Sequence, residues 1–363
     1  MKKKIVIVGS TGNLGASLLK YSFKNNIKIF ATTYFNNSRL ALLQKKKYKI
    51  DYCFSLKFEK EKINFLNFLK NNKIHLIYFL DYGSSSLLYT NIFLKNNTNS
   101  IIAIANKELI IAGGLLLFNL IKKTKNNFIP LDSEHFSLLK FKENIKSISK
   151  IYITASGGPF YFKKKIDLNK VSFNEVINHP KWKMGYNNSI DSSNFINKYL
   201  EMLELSFIFN LSLDKIDFLI SKNAYVHSVA FFKDGSINFN CFENNMLISL
   251  IYPLRALNCD LIDFKINEEK IFDYNNFKIC KFDDKRFELF KYLKKLKSIS
   301  HKNMIKFMIL NNIAHRRYIN NEIKYHDIVP FILKRIDFKH KNEHFRSFNA
   351  TLKYIELIKK KYE

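Results

Sequence analysis

The stretch "KIVIVGSTGNLGASLLKYSFK", residues 4 to 24, decides the fold. Ile5 to Val8 form a short apolar run, which reads as a buried strand. Gly9, Gly12 and Gly15 follow as G-x-x-G-x-x-G, and "ASLLKYSFK" then has helical spacing. A glycine turn between strand and helix is the context a dinucleotide fingerprint requires. The turn admits a pyrophosphate and the helix N-terminal amides hold it. A plain tight turn is the other reading of the same glycines.

Outward from this turn the pattern repeats. "IKIFATTYF" is a second strand, and "IHLIYFL" and "SIIAIA" are further buried strands separated by helical stretches. Such a βαβ series implies a parallel sheet. From "FIPLDSEHF" to about residue 258 the strands change character, with "ISKIYITAS", "IDFLIS" and "SINFNCF" flanking one long helix predicted to start near Ser193. The predicted division is an α/β domain over 1–131, an α+β domain over 132–258, a linker over 259–285 and a Lys-rich helical domain over 286–363. No internal repeat is present.

With 363 residues, 47% of them hydrophobic, the chain can supply two or three packed cores. The basic start "MKKK" is followed by too short an apolar run for a secretory leader, and no stretch reaches about 18 uninterrupted apolar residues. Cys53, Cys241, Cys259 and Cys280 show neither a CxxC pair nor zinc spacing, so reduced thiols and a cytoplasmic location are expected. The formal charge of +29 suggests nucleic acid. Its lysines are scattered in short groups without a recognisable binding motif, however. The excess of Lys, Asn, Ile, Phe and Tyr over Gly, Pro, Ala and Trp is what AT-biased coding produces. Against that background glycines are informative, and six of ten fall in "GSTGNLG", "SGGPF" and "WKMG".

Three groups of residues carry chemistry. After the second strand the chain reads Thr33, Tyr34, Phe35, Asn36, Asn37, Ser38, Arg39. No carboxylate is there to repel a 2′-phosphate, so NADP is favoured over NAD, with Asn36, Asn37 and Arg39 near that phosphate. In "PLDSEHF", Asp132 and Glu134 are two apart and would share a face of a strand. Such pairs commonly face solvent, but these follow an apolar approach, where a divalent cation is a natural counter-ion. Glu201 can join them, since it follows Asn197 by four and Lys198 by three on a predicted helix. Carboxylates without Cys or a clear His describe a hard site for Mg²⁺ or Mn²⁺. Ser156 beside the "SGGPF" turn, Ser192 opening that helix, Asn197 and Lys198 suit a phosphate dianion, although Ser192 or Ser193 could equally be a plain cap. "HPKWKMG" reads as a flap near 179–189, with Trp182 and Met184 as cover and His179 as polar contact; a core Trp and a surface His is the plainer alternative.

Together "GSTGNLG", "ANKE", "DSEH", "TASGGPF", "HPKWKMG", "SIDSSNFINKYLE" and "VHSVAFFKDGS" occur in the order and approximate spacing of the 1-deoxy-D-xylulose 5-phosphate reductoisomerase family. The chain resembles that family over about residues 3 to 258 and more weakly to its end. The resemblance implies an N-terminal Rossmann-like NADP-binding domain, a central α+β catalytic and metal-binding domain and a C-terminal helical domain. It implies a homodimeric oxidoreductase of the methylerythritol phosphate route to isoprenoids, using NADPH and Mg²⁺, Mn²⁺ or Co²⁺ on a phosphosugar. Carried over by position, Asp132, Glu134 and Glu201 would bind the metal, with Lys107 and Ser133 at the substrate beside it. Ser156, Ser192, Asn197 and Lys198 would hold the phosphate, and His179 and Trp182 would close over it. Lys107, the three carboxylates and His179 form the implied catalytic set. Gly9, Thr11, Gly12, Asn13, Leu14, Asn36, Asn37, Asn106, Glu108 and Gly185 would line the cofactor site.

The chain departs from the family in four places. Tyr186 and Asn187 replace basic residues, Tyr199 replaces a glycine, "SKNAY" stands for "HPQS", and "LNNIAH" stands for "LNAANE". None removes an implied ligand. Two rival readings are a nucleic-acid-binding protein on a relict enzyme fold and an NADP oxidoreductase acting on another phosphosugar.

Overall fold

The computed structural model describes residues 3–178, 185–261, 273, 277–282, 285–338 and 344–363. They fall into two compact units, residues 1–139 with 245–266, and residues 140–244 with 267–363. The expected flap residues His179, Trp182 and Met184 lie outside the described residues.

The first unit is a parallel sheet. Its strands are β1 (Ile5–Val8), β2 (Ala31–Tyr34), β3 (Tyr52–Ser55), β4 (Leu76–Phe79), β5 (Ile101–Ile104) and β6 (Asn127–Pro130), in the order β3-β2-β1-β4-β5-β6. A helix makes each crossover, from Asn13–Lys24 to Lys107–Lys123. β1, β4 and β5 are buried at every residue, which is why they read as continuous apolar runs. β3, at one edge, is half exposed and carries no such run, and β6 ends on Pro130 at the other edge, where a missing donor is tolerated. Because the order reverses between β1 and β4, a crevice lies beyond their C-terminal ends, the usual ligand position of a doubly wound sheet.

Helix Leu247–Ala256 also belongs to this unit, although the sequence places it with the central domain. Leu250 and Leu254 join the core of Ile5, Ile7, Leu18 and Tyr78. The Tyr78 hydroxyl donates to the Leu250 carbonyl at 2.9 Å, and Ser249 Oγ to the Leu131 carbonyl at 2.7 Å.

The second unit carries a mixed sheet of β7 (Ile148–Ala155), β8 (Ile216–Ser221), β9 (Val226–Phe232), β10 (Ile237–Cys241) and β11 (Ile279–Lys281), ordered β10-β9-β7-β8-β11. β7 and β8 are parallel and the other pairs antiparallel. β11 falls inside the expected linker: its three residues are too few to show a period, and pairing with β8 forms it. Helix Ile196–Ile208 packs on β7 and β8 and is buried at eleven of thirteen positions. Four further helices, Glu288–Leu296, His301–Ile319, Ile328–Leu333 and Phe348–Tyr362, match the helical pattern expected after residue 286.

The single long helix expected from Ser193 is two helices, Tyr186–Ser193 and Ile196–Ile208. Phe195 breaks them, in a left-handed conformation at φ 66° and ψ 7°. That conformation costs about 1–2 kcal/mol for a non-glycine residue. The Phe195 ring meets Phe282 at 4.7 Å, Phe287 at 4.8 Å and Phe290 at 5.6 Å, and each such pair contributes about 0.5–1.5 kcal/mol. Side-chain packing therefore sets the bend against local preference. Tyr199, which replaces a family glycine, is fully buried, with its hydroxyl on the Leu296 carbonyl at 2.9 Å and its ring 4.8 Å from Phe307. All four cysteines are free thiols, and among the described residues no helix is long and apolar enough to cross a membrane.

Candidate functional site

In the first unit the glycine turn is fixed by contacts only glycine permits. Gly9 has φ +90°, and a Cβ there would lie 2.6 Å from the Asp81 nitrogen; one on Gly15 would collide with Ser10 and with the Gly9 carbonyl. The turn is stitched to β2 by Gly9 N to Thr33 Oγ1 at 3.1 Å and Ser10 N to the Thr33 carbonyl at 2.9 Å. Gly12 caps the following helix and lies exposed with Asn13, flanked by the partly buried Thr11 and Leu14, so the helix N-terminus is open to a ligand. Asn36, Asn37 and Arg39 are exposed just beyond β2. Asn37 caps helix Ser38–Lys47 by accepting from Leu40 N at 3.0 Å, and no carboxylate stands among residues 33–39.

The "ANKE" segment opens helix Lys107–Lys123. Asn106 Oδ1 accepts from Leu109 N at 2.8 Å, and its amide donates to the Gly83 carbonyl at 3.0 Å and to Asp81 Oδ1 at 3.2 Å. Its side chain therefore knits the crevice wall, beside the buried Glu108. Asp81, absent from the sequence reading, stands where β4 runs up against Gly9. Burial pushes its carboxyl up to about 6, against hydrogen bonds from Ser86 and Asn106 that lower it. A lone Asp after an apolar strand gave no signal of this.

Asp132 and Glu134 do not lie on a strand, as their spacing suggested, because β6 ends at Pro130. Asp132 is the N-cap of helix Ser133–Ser137 and accepts from Glu134 N at 3.3 Å. A cap and the second residue after it still project to one side of a helix end. Lys107 Nζ meets Asp132 Oδ2 at 2.9 Å with both side chains only 15% and 17% exposed, and Ser133 Oγ donates to Glu134.

In the second unit the expected helix face is present. Asn197 Nδ2 donates to Glu201 Oε1, and Lys198 Nζ meets Glu201 Oε2 at 2.6 Å, with the Glu201 side chain 2% exposed. Ser192 stands next to the last residue of helix Tyr186–Ser193 and does not open a helix, because Phe195 divides the segment. It is close to the glycine turn after β7: a Cβ on Gly158, which has φ +58°, would lie 2.7 Å from the Ser192 carbonyl oxygen. Gly185 is exposed and caps the same helix. A cavity of about 410 Å³ opens beside Ser156, with Gly158, Asn174, Asn178, Lys163 and Lys222 among its walls. Lys163 lies 3.6 Å from Glu175, and Lys222 sits over the Phe162 ring at 5.2 Å. Lys222, within the divergent "SKNAY", escaped the sequence reading. Two ammonium groups suit an anionic guest.

Residues 128–209 match the family model described as the 1-deoxy-D-xylulose 5-phosphate reductoisomerase C-terminal domain. The chain is 34% identical over 359 residues to the 1-deoxy-D-xylulose 5-phosphate reductoisomerase of Pelagibacter ubique (strain HTCC1062), covering 92% of this chain and 90% of that one. Among solved structures, the reductoisomerase from Zymomonas mobilis in complex with NADPH superposes with a TM-score of 0.81 at 20% identity, covering 100% of this chain and 98% of that one. A DOX-P reductoisomerase in complex with NADPH, fosmidomycin and magnesium gives 0.80 at 20% identity, over 99% and 97%.

Proposed function

The chain belongs to the 1-deoxy-D-xylulose 5-phosphate reductoisomerase family, and from that premise we propose how its residues divide the reaction. It is an oxidoreductase of isoprenoid precursor synthesis that isomerises and reduces 1-deoxy-D-xylulose 5-phosphate to 2-C-methyl-D-erythritol 4-phosphate, with NADPH and a divalent cation. When bound, NADPH supplies the hydride and the cation supplies Lewis-acid charge to the substrate oxygens.

Residues 1–131 hold the cofactor. The open amides at Gly12, Asn13 and Leu14 and the Thr11 hydroxyl take the pyrophosphate, Asn36, Asn37 and Arg39 take the 2′-phosphate, and Asn106, Glu108 and Gly185 complete the lining. Residues 132–244 carry the chemistry, and 286–363 form the helical domain. Asp132, Glu134 and Glu201 hold the cation. Their all-oxygen donor set fits Mg²⁺ or Mn²⁺, and Co²⁺ less well.

The observation that carries this reading is Glu201: a carboxylate 2% exposed, on a helix buried at eleven of thirteen positions, with an amide and an ammonium one turn before it. Placing a carboxylate there costs several kcal/mol unless strong partners offset it, so a purely structural role is a poor return. Lys198, Asn197, Ser156 and Ser192 bind the substrate phosphate, and Lys107 and Ser133 orient its sugar oxygens. The direct test is NADPH consumption by the purified chain with 1-deoxy-D-xylulose 5-phosphate. Turnover with Mg²⁺ or Mn²⁺ that stops on chelation supports the proposal; no turnover with either cation contradicts it.

The enzyme acts as a cytoplasmic homodimer. Supporting this, β10 presents Ile237 and Phe239, each 50% exposed, on the same sheet face as Val229, Tyr152 and Phe231. Light scattering on Phe239→Lys would report a monomer if that face pairs the subunits.

A further inference from the structure

Helix Tyr186–Ser193 carries Ser192 and is fastened by residues that the reaction does not itself require. Asp191, 6% exposed, accepts a 2.8 Å hydrogen bond on Oδ1 from Asn311 Nδ2, and the same oxygen lies 3.0 Å from His315 Nε2. Asn311 and His315 are four apart on helix His301–Ile319, so one face of that helix supplies both. They belong to "LNNIAH", one of the four places where this chain leaves the family pattern: Asn311 keeps the family's residue and His315 replaces its Glu. Ser193 adds a second tie, with Oγ 2.7 Å from the Ile190 carbonyl and 3.0 Å from the buried Tyr325 hydroxyl. Across the helix end, Gly158 approaches the Ser192 carbonyl too closely for any side chain. Ser192 thus has its carbonyl against the glycine turn that follows Ser156, and both of its chain neighbours are tied to the C-terminal part of the chain.

These ties are costly. Asn311 Oδ1 and both ring nitrogens of His315 are buried without a hydrogen-bond partner, the Nε2 approach to Asp191 being a close contact only. An apolar pair of the same size would avoid that desolvation, so stability alone does not account for the residues chosen. What they do provide is direction, since turning the helix would pull Asp191 away from the Asn311 amide and from the His315 ring beside it.

We propose that Asp191, Asn311, His315 and Tyr325 are positioning residues for the substrate phosphate: they fix the last turn of helix Tyr186–Ser193 and so hold Ser192 against Ser156, Asn197 and Lys198. The proposal rests on the reading of Ser192 as a phosphate contact. Its mechanism is geometric, because a displacement of about 1 Å at a positioned group can cost up to about 100-fold.

The test is steady-state kinetics of the full chain with Asn311→Leu and with Tyr325→Phe, the second being a one-atom deletion that leaves packing in place. Each should raise KM for the phosphosugar about tenfold, lower kcat by less than about threefold and weaken competitive inhibition by inorganic phosphate by the same factor as KM. NADPH affinity, read by fluorescence, should be unchanged. Ser192→Ala runs beside them. If it raises KM while both positioning variants keep KM and phosphate inhibition within twofold of the parent, the inference is overturned and the phosphate reading survives. If Ser192→Ala itself leaves KM unchanged, the phosphate reading falls and the inference with it. A loss of kcat alone in the positioning variants also overturns it.

Discussion

Asp132 and Glu134 sit two residues apart at the cap of a five-residue helix, whereas Glu201 sits inside a thirteen-residue helix with Asn197 and Lys198 one turn before it. The first pair is half-buried and keeps water within reach; the second carboxylate is sealed. In the first unit a loop brings the carboxylates together and a lysine from another helix matches them. In the second, helix periodicity alone sets carboxylate, amide and ammonium on one face. The difference teaches where tolerance should lie. A water-accessible cap can relax around a substitution, while a sealed helix position cannot.

The largest effect should therefore come from Glu201→Gln. It keeps the size and removes the charge, and turnover should fall about 100-fold or more. Glu204→Gln, one turn on and equally buried, should keep the dependence on Mg²⁺. Lys107→Met leaves the more open Asp132 without its ammonium, and the expected loss is smaller, roughly tenfold. Kinetics on both variants in one preparation would break the comparison if the order were reversed.

A third expectation concerns stability in the first unit. Asp81 is raised to about 6 from an unfolded value of about 4, so the folded state holds its proton more tightly. Its stabilising contribution is complete below about pH 4 and is lost as pH rises through about 6. Asp81→Asn, which cannot ionise, should be the more stable protein at pH 8, by about 1–3 kcal/mol, and should match the parent near pH 4. Thermal melts across that range would show it, and a constant difference at all pH values would exclude burial of Asp81 as the cause. The smallest effect belongs to Arg39→Ala. An exposed ion pair contributes about 0–1 kcal/mol, so the preference for NADPH over NADH should narrow by no more than about fivefold.

How much was legible in the sequence follows the same division. Strands β1, β4 and β5 were readable because burial on both faces left unbroken apolar runs. The glycine turn was readable because Gly9 and Gly15 stand where any Cβ would collide. Glu201, Asn197 and Lys198 were placed on one face by spacing alone, and the structure has them so. What failed depends on contacts far apart in the chain. Phe195 bends the helix because rings from residues 282 to 290 surround it, and nothing near residue 195 announces them. Helix Leu247–Ala256 returns to the first sheet because Leu250 and Leu254 find its core. The i and i+2 spacing of Asp132 and Glu134 suits a strand or a helix cap equally, and only the end of β6 at Pro130 decides between them.

The central proposal is that Asp132, Glu134 and Glu201 hold one cation, and Mn²⁺ titration of the full chain, followed by electron paramagnetic resonance of the free ion, tests it without relying on turnover. The account expects one tight Mn²⁺ per chain, with affinity reduced at least about tenfold by Glu201→Gln and likewise by Asp132→Asn, while NADPH binding stays intact in both. Undiminished Mn²⁺ affinity in Glu201→Gln alongside a loss in Asp132→Asn would contradict it, because the cation would then be held without Glu201.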